Sequence, residues 1–234
     1  MKGKLYLIPN TLGESVLQNV LPPFNIEIIN SINHYIVEDV RTARWFLSKC
    51  GIKTKIDDLQ FYLLNKHTPI EEIVGFLAPL KHGNAVGVIS EAGCPAVADP
   101  GAEVVRLAHE SDIEVVPLVG PSSILMALMA SGFNGQRFAF NGYLPVKDLE
   151  RTPQLKRDEQ RSRAEGQTQI YIETPYRNMQ LLKAMVDSLN PNTMLCIAID
   201  LSLETEEIKT KSVRDWKNSK TDFNKRPSIF LFMA

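Results

Sequence analysis

The sequence predicts an α/β protein: a doubly wound parallel sheet in the first half, then a second α/β region with a mixed sheet. Three observations predict it. Short β-rich apolar runs alternate with helical patterns through the first half, and strands separated by helices of about 10 to 15 residues form parallel sheets. Gly- and Pro-marked loops follow several of these runs, at the strand ends where such sheets bind ligands. The runs of the second half lie closer together, as antiparallel neighbours do.

The elements follow in order. Leu5-Tyr6-Leu7-Ile8 is a buried strand stopped by Pro9, and Tyr35-Ile36-Val37 is a second. Asp39 caps a helix that runs through Cys50 and stops at Gly51. Phe61 to Leu64 reads as a strand, Pro69 opens a helix to about Leu80, and Ala85 to Ile89 is strand-like. A loop from Glu91 to Gly101 leads into a helix over Ala102–Glu110 and a strand at Glu114–Val116. Gly120-Pro121-Ser122-Ser123 begins an Ala-, Leu- and Met-rich helix ending at Ser131-Gly132. A strand near Phe138–Phe140, a charged stretch over Lys147–Arg163, a strand over Thr168–Ile172 and a helix over Pro175–Leu189 come next. Met194–Ile199, Glu206–Lys211 and Ser228–Phe232 are the last strands. The domain boundary is expected at Pro117, giving units 1–117 and 118–234.

Composition bounds the function. The chain has 234 residues, 44% of them hydrophobic, and a net charge of -1. Nothing global pulls it toward a polyanion, so any such site is a local patch. Three scattered cysteines (Cys50, Cys94, Cys196) and four scattered histidines make neither a disulfide framework nor a metal site. No leader-like or membrane-spanning run is read, so a soluble cytoplasmic chain without metal or membrane partner is expected.

Three loops carry the candidate chemistry: Pro9 to Gly13, Glu91 to Pro95, and Val119 to Ser123. Gly lets backbone approach a ligand and Pro fixes the chain's direction. Ser122 and Ser123 open a helix, whose free N–H groups can hold a carboxylate or ribose. Each loop alone is equally an ordinary strand-to-helix turn.

Taken together they resemble a known family. VISEAGCPAVADPGAEVVRLAHESDIEVVPLVGPSSILMALMASGF is similar to the central signature of the tetrapyrrole (corrin/porphyrin) methylase superfamily. Within it the chain most resembles the ribosomal RNA small subunit methyltransferase I branch, which methylates a ribose 2′-oxygen. VEDVRTARWFLSKCGI, Asn65-Lys66-His67, RFAFNGYLP and YIETPYRNMQLL resemble that branch's Glu-Asp-Thr-Arg helix start, His-rich turn, Arg-Phe…Gly-Phe-Leu-Pro run and Tyr-Glu-Ser-x-x-Arg segment. The likeness runs from about Leu5 to Phe232. Glu91 stands where the family has Asp and Cys94 where it has Thr. Asn10 to Gly13 departs from Thr-Pro-Ile-Gly-Asn, and Arg226-Pro227-Ser228 replaces Gly-Glu.

The resemblance implies a two-domain fold with S-adenosyl-L-methionine folded into the cleft between the domains. By the same likeness Leu12, Gly93, Cys94, Pro95 and Val97 line the donor from the first domain, with Ser122, Ser123, Met179, Ala198, Pro227 and Ser228 on the other side. Met179 and Ala198 are equally read as plain core. A homodimer acting on ribosomal RNA or the small-subunit particle is expected. A porphyrin or corrin C-methyltransferase and a non-catalytic binding module on the same fold are the alternatives.

A ribose hydroxyl is a weak nucleophile, so a general base helps. Glu38, Asp39, His67, Glu173 and Asp200 are the carboxylate and imidazole candidates, with Glu38 and Glu173 preferred because both end strands. Against this, Asp39 can be only a cap, Glu38 can pair with Arg41, and Glu173 can merely fix the Thr174-Pro175 turn. Arg41, His67 and Arg177 are the expected acceptor contacts, the arginines through bidentate bonds to phosphate or carboxylate. The Lys147–Arg163 stretch mixes both charges and reads as a solvated helix, an RNA-contacting arm being the sharper reading. Trp45-Phe46 are read as core or dimer-interface aromatics rather than a base platform.

Overall fold

The computed structural model describes residues 2–234. By contacts it divides into two compact units, the first ending at Ser122 and the second spanning Ser123–Ala234.

The first unit contains β1 (Leu5–Ile8), α1 (Leu17–Val20), α2 (Pro23–Ile29), β2 (His34–Val37), α3 (Val40–Lys49), β3 (Gln60–Leu63), α4 (Ile70–Phe76), α5 (Ala78–Lys81), β4 (Val86–Ile89), α6 (Gly101–Glu110) and β5 (Val115–Pro117). The strands form one sheet in the order β3-β2-β4-β1-β5, with every pairing parallel. All strand C-termini therefore meet at one edge. Side chains alternate across the sheet. Ile8, Tyr35 and Val37 pack with Ile29, Phe46 and Leu47 of α2 and α3. Leu5, Ile36 and Val88 pack with Phe76, Leu80 and Val104 of α4, α5 and α6. Each such buried side chain contributes roughly 1.5–3 kcal/mol. The chain leaves β1 toward the α2–α3 face and β4 toward the α6 face. Those strands are adjacent, so a ligand crevice opens between their ends.

The predicted cap on α3 is present. Asp39 accepts the Arg41 and Thr42 N–H groups at 2.7 and 2.9 Å. The helix expected from Pro69 to Leu80 is two helices broken at Leu77. Pro79 has no N–H to continue the ladder but fits the first turn of α5. The short helices α1 and α2 were not anticipated; so brief a helix stands on tertiary contacts rather than propensity. Asn25 of α2, for example, is buried and donates to the Val119 carbonyl at 2.8 Å. The segment after Pro117 also packs on the first unit. Leu118 N–H bonds to Leu7 O, and a Cβ on Gly120 would lie 2.3 Å from the Pro9 Cβ. The first unit consequently runs past Pro117, where the sequence places the boundary.

The second unit contains α7 (Ser123–Ser131), β6 (Phe138–Tyr143), α8 (Asp148–Glu165), β7 (Thr168–Ile172), α9 (Asn178–Ser188), β8 (Met194–Ile199), β9 (Glu207–Ser212), α10 (Val213–Lys217) and β10 (Ser228–Met233). Its sheet has the order β6-β7-β10-β8-β9. Only β6–β7 is parallel; the other three pairings are antiparallel. The core gathers Leu155, Tyr171, Leu181, Met185, Trp216 and Phe230. The Trp216 indole N–H satisfies the Leu195 carbonyl at 2.8 Å. Among the described residues no helix is long and apolar enough to cross a membrane, and no cluster of His, Cys, Asp and Glu could hold a metal.

Candidate active site

At the C-terminal edge of the parallel sheet the loops after β1 and β4 are stitched together. Asn10 and Gly93 exchange backbone bonds, Asn10 N to Gly93 O at 2.9 Å and Gly93 N to Asn10 O at 3.2 Å. The buried Asn10 amide donates to Ser90 O and Glu91 O at 3.1 and 3.2 Å, and its Oδ1 accepts Thr11 N–H at 2.8 Å. Gly93 sits at φ 68°, a region a side chain disfavours. A Cβ there would come within 3.2 Å of Leu12 and 3.4 Å of the Pro121 carbonyl. Cys94 donates its thiol to the same carbonyl at 3.4 Å. Burial pushes that thiol's pKa up, so it stays protonated at neutral pH. Thus the structure brings together Leu12, Gly93, Cys94 and Pro121, residues from all three predicted loops.

Beyond Cys94 the backbone is strained. Ala96 and Ala98 have φ of 65° and 61°, each costing on the order of 1 kcal/mol or more. Asp99 compensates by accepting Ala96 N–H and Gly101 N–H through one oxygen, at 2.8 and 2.7 Å. Pro95 is buried in this turn, whereas Val97 is half exposed.

The carboxylates Glu38, Glu91 and Asp99 gather at the ends of β2 and β4. The pKa of Glu38 is raised above the ordinary carboxylate range, first by partial burial, then by the charges of Asp99 and Glu91. Asp99 is raised by burial too. Thr42 on α3 donates to Glu91 Oε1 at 2.7 Å. Glu38 makes no ion pair with Arg41 among the described residues; Arg41 is exposed and Asp39 serves as the cap. His67 is exposed in the turn after β3, its N–H held by Asn65 Oδ1 at 2.8 Å.

Beside these loops lies a cavity of about 340 Å³, lined by Asn10 to Glu14, Thr42, Trp45, Glu91 and Ala92. Phe46 is fully buried as expected, but Trp45 is 53% exposed and belongs to this cavity rather than to a core. Successive positions on α3 are turned by about 100°, which carries Phe46 into the core and Trp45 to the helix's outer side. A larger cavity of about 710 Å³ lies among α1, α2 and the end of α3. It takes no residue from the strand-end loops.

The second unit's candidates are differently placed. Glu173 is buried, and its Oε1 accepts Thr174 N–H at 2.7 Å and Arg177 Nη2 at 2.6 Å. That is the turn-fixing arrangement, and it occupies the Arg177 guanidinium as well. Asp200 accepts from Arg226 at 2.7 Å and from Thr205 at 2.8 Å. Arg226 also reaches Glu207, whose pKa is lowered to about 2, chiefly by its hydrogen bonds to Lys209 and Arg226. Asn178 holds the Arg226 carbonyl and Ser228 Oγ at 2.6 and 3.2 Å, fixing the Pro227-Ser228 turn. Its own Oδ1 is buried without a hydrogen-bond partner among the described residues. Met179 packs against the core, and Ala198 has no exposed surface. Ser123 opens α7, directly after Ser122.

Sequence reasoning passed over one charged segment. The window 209–226 holds Lys209, Lys211, Arg214, Lys217, Lys220, Lys225 and Arg226 against the acids Asp215 and Asp222, although Lys209 and Arg226 pair with acids that precede it. Counting sign over this window would have found it. The stretch singled out instead, now α8, neutralises itself through pairs such as Arg151–Asp148 and Arg161–Glu165.

No family model matches the chain. It is similar to solved structures of a cobalt precorrin-4 methyltransferase (16% identity, TM-score 0.62, covering 98% of this chain and 94% of that one). It is similar as well to a uroporphyrin-III C-methyltransferase from Thermus thermophilus (17%, TM-score 0.54, 100% and 93%). Identities so low show the fold alone. Curated relatives go further. Proteins named ribosomal RNA small subunit methyltransferase I match from Mesorhizobium japonicum at 34% identity (92% of this chain, 69% of that protein). Those of Haemophilus influenzae (31%, 92% and 73%) and Escherichia coli O157:H7 (31%, 88% and 68%) match similarly. With more than two thirds of each relative covered at this identity, the chain belongs to the ribosomal RNA small subunit methyltransferase I family of methyltransferases.

Proposed function

We propose that this enzyme transfers a methyl group from S-adenosyl-L-methionine to a ribose 2′-hydroxyl in small-subunit ribosomal RNA. The observation that carries the reading is the interlock of the Asn10–Gly13 and Glu91–Pro95 turns beside three carboxylates, in a chain of this family. The residues present fit the donor. Gly93 leaves open a backbone cradle that a Cβ would fill against Leu12 and Pro121, and burial keeps the neighbouring Cys94 thiol protonated.

When bound, the donor supplies a methyl on a sulfonium, to be transferred by in-line displacement. Leu12, Gly93, Cys94, Pro95 and Val97 would hold it, mostly through backbone, and fix its orientation. Positioning of this kind is worth up to about 7–11 kcal/mol of barrier. Glu38 is the general base in this reading: it takes the 2′-hydroxyl proton at a carboxylate oxygen. Its raised pKa brings its basicity nearer the working pH. Arg41 and His67, exposed at the same sheet edge, hold acceptor phosphates. Lys217, Lys220 and their basic neighbours add a local polyanion contact that the net charge of -1 hides.

The reading places the enzyme in the cytoplasm with its substrate and includes the expected homodimer. Leu125 and Met129, exposed at 50% and 83% on α7, are apolar surface a second copy would cover. The tetrapyrrole alternative rests on fold likeness alone. Mass mapping of small-subunit RNA from cells lacking this chain is the test. Loss of one ribose methyl, restored by the gene, is expected; an unchanged map overturns the reading.

A further inference from the structure

We propose that the cavity beside Trp45 seats the base of the target nucleotide: an amino-bearing nucleobase stacked on the Trp45 indole, its exocyclic N–H donated to Glu91. The inference rests on the RNA reading above and adds how the base is chosen.

Trp45 and Thr42 are three residues apart on α3, so they share a helix face. Both line the cavity of about 340 Å³ with Glu91 and the turn after β1. Trp45 is 53% exposed although the unit has an ample core. Such a ring on the surface is a stacking platform of the kind single-stranded RNA sites use. Lys49 Nζ lies 4.9 Å from the ring centroid, held by the Ser15 carbonyl at 2.9 Å. It braces one ring face and leaves the other for a base. Thr42 Oγ1 binds Glu91 Oε1 at 2.7 Å and fixes the carboxylate. Glu91 Oε2 has no partner among the described residues and is the acceptor left over. A carboxylate accepts from an exocyclic amine, as toward cytosine N4. Uracil has no amine to offer and presents carbonyl oxygens that repel it. The departure from the family's Asp at Glu91 therefore falls on the residue that reads the base.

Trp216, the second of two tryptophans, is 2% exposed, so a ligand that quenches exposed emission reports on Trp45. Titrating the full chain with short oligocytidylate should quench saturably, with oligouridylate about tenfold weaker, and Glu91→Gln should erase that preference. In methyl transfer to small subunits lacking the modification, Trp45→Ala should raise KM about tenfold or more. Donor affinity by calorimetry should hold, and Trp45→Phe should recover most of the loss. Absence of saturable quenching, or an unchanged KM in Trp45→Ala, overturns the base site. A wild-type chain that prefers oligocytidylate yet methylates no small subunit upholds the base site and sinks the ribosomal reading instead.

Discussion

The two units handle charge in opposite ways. In the first, Glu38, Glu91 and Asp99 crowd at the strand ends, and no arginine or lysine pairs with any of them among the described residues; burial raises two of them. In the second, Glu173 is paired with Arg177, and Asp200 and Glu207 share Arg226. Glu173 and Asp200 are buried and paired with arginines, whereas Glu38 and Asp99 are partly buried and held by no cation among the described residues. A buried acid with a cationic partner holds structure, whereas one raised without a partner is ready to exchange a proton. From this contrast we propose proton transfer in the first unit and a framework role for the second unit's paired acids.

The largest expected effect tests the loops themselves. Gly93→Arg places a side chain at φ 68° against Leu12 and Pro121. It should abolish the heat of S-adenosyl-L-methionine binding in calorimetry while the far-ultraviolet dichroism stays native. Retained affinity would remove the donor from this turn.

Next, paired substitutions set the two kinds of carboxylate against each other. Glu38→Gln should slow methyl transfer about 100-fold, as loss of a general base does. The wild-type rate should climb with pH through a midpoint above the ordinary glutamate range, because the base works ionised and its pKa is raised; the variant should lose that limb. Stability goes the other way. A carboxyl whose pKa is higher folded than unfolded weakens the fold as pH rises from the unfolded to the folded value. Glu38→Gln removes that penalty, so the variant should be slightly more stable at pH 7. Glu173→Gln breaks a buried pair whose arginine is partly exposed. It should cost about 1–3 kcal/mol in denaturant unfolding, with the pH–rate limb intact. Exchange of these two outcomes would invert the assignment.

Much of this was legible in the residues. Val86–Ile89 is apolar throughout because a central parallel strand is covered on both faces. Asp39 and Gly51 announce the ends of α3 through local chemistry. The loops stood out for their glycines and prolines. Less legible was anything set by distant partners. Glu38 and Glu173 read alike in sequence, each a glutamate ending a strand. Arg177 lies four residues after Glu173 and forms the pair, whereas Asp99 reaches Glu38 only through the fold. Trp45 and Phe46 are likewise indistinguishable until helix phase assigns one to solvent and one to the core.

Charge distribution offers the smallest and most separable test, again by comparing regions. Along α8 acids and bases are interspersed in equal number, and Asp158 is further engaged by Tyr171 at 2.8 Å. From Lys209 to Arg226 lysines recur with few acids, and Lys217 and Lys220 are exposed. If this edge grips phosphates, counterion release makes binding salt-dependent, each contact adding roughly 0.7–0.9 to the slope of log affinity against log salt. Lys217→Ala with Lys220→Ala should therefore lower the slope for small-subunit RNA by about 1.5, leaving donor affinity unchanged. Lys156→Ala with Arg157→Ala on α8 should alter it by less than half as much, since neighbouring acids already cancel much of that helix's field. Equal slopes for both pairs would place the polyanion contact elsewhere. A larger change on α8 would favour the RNA-contacting arm that the sequence offers as the alternative to a solvated helix.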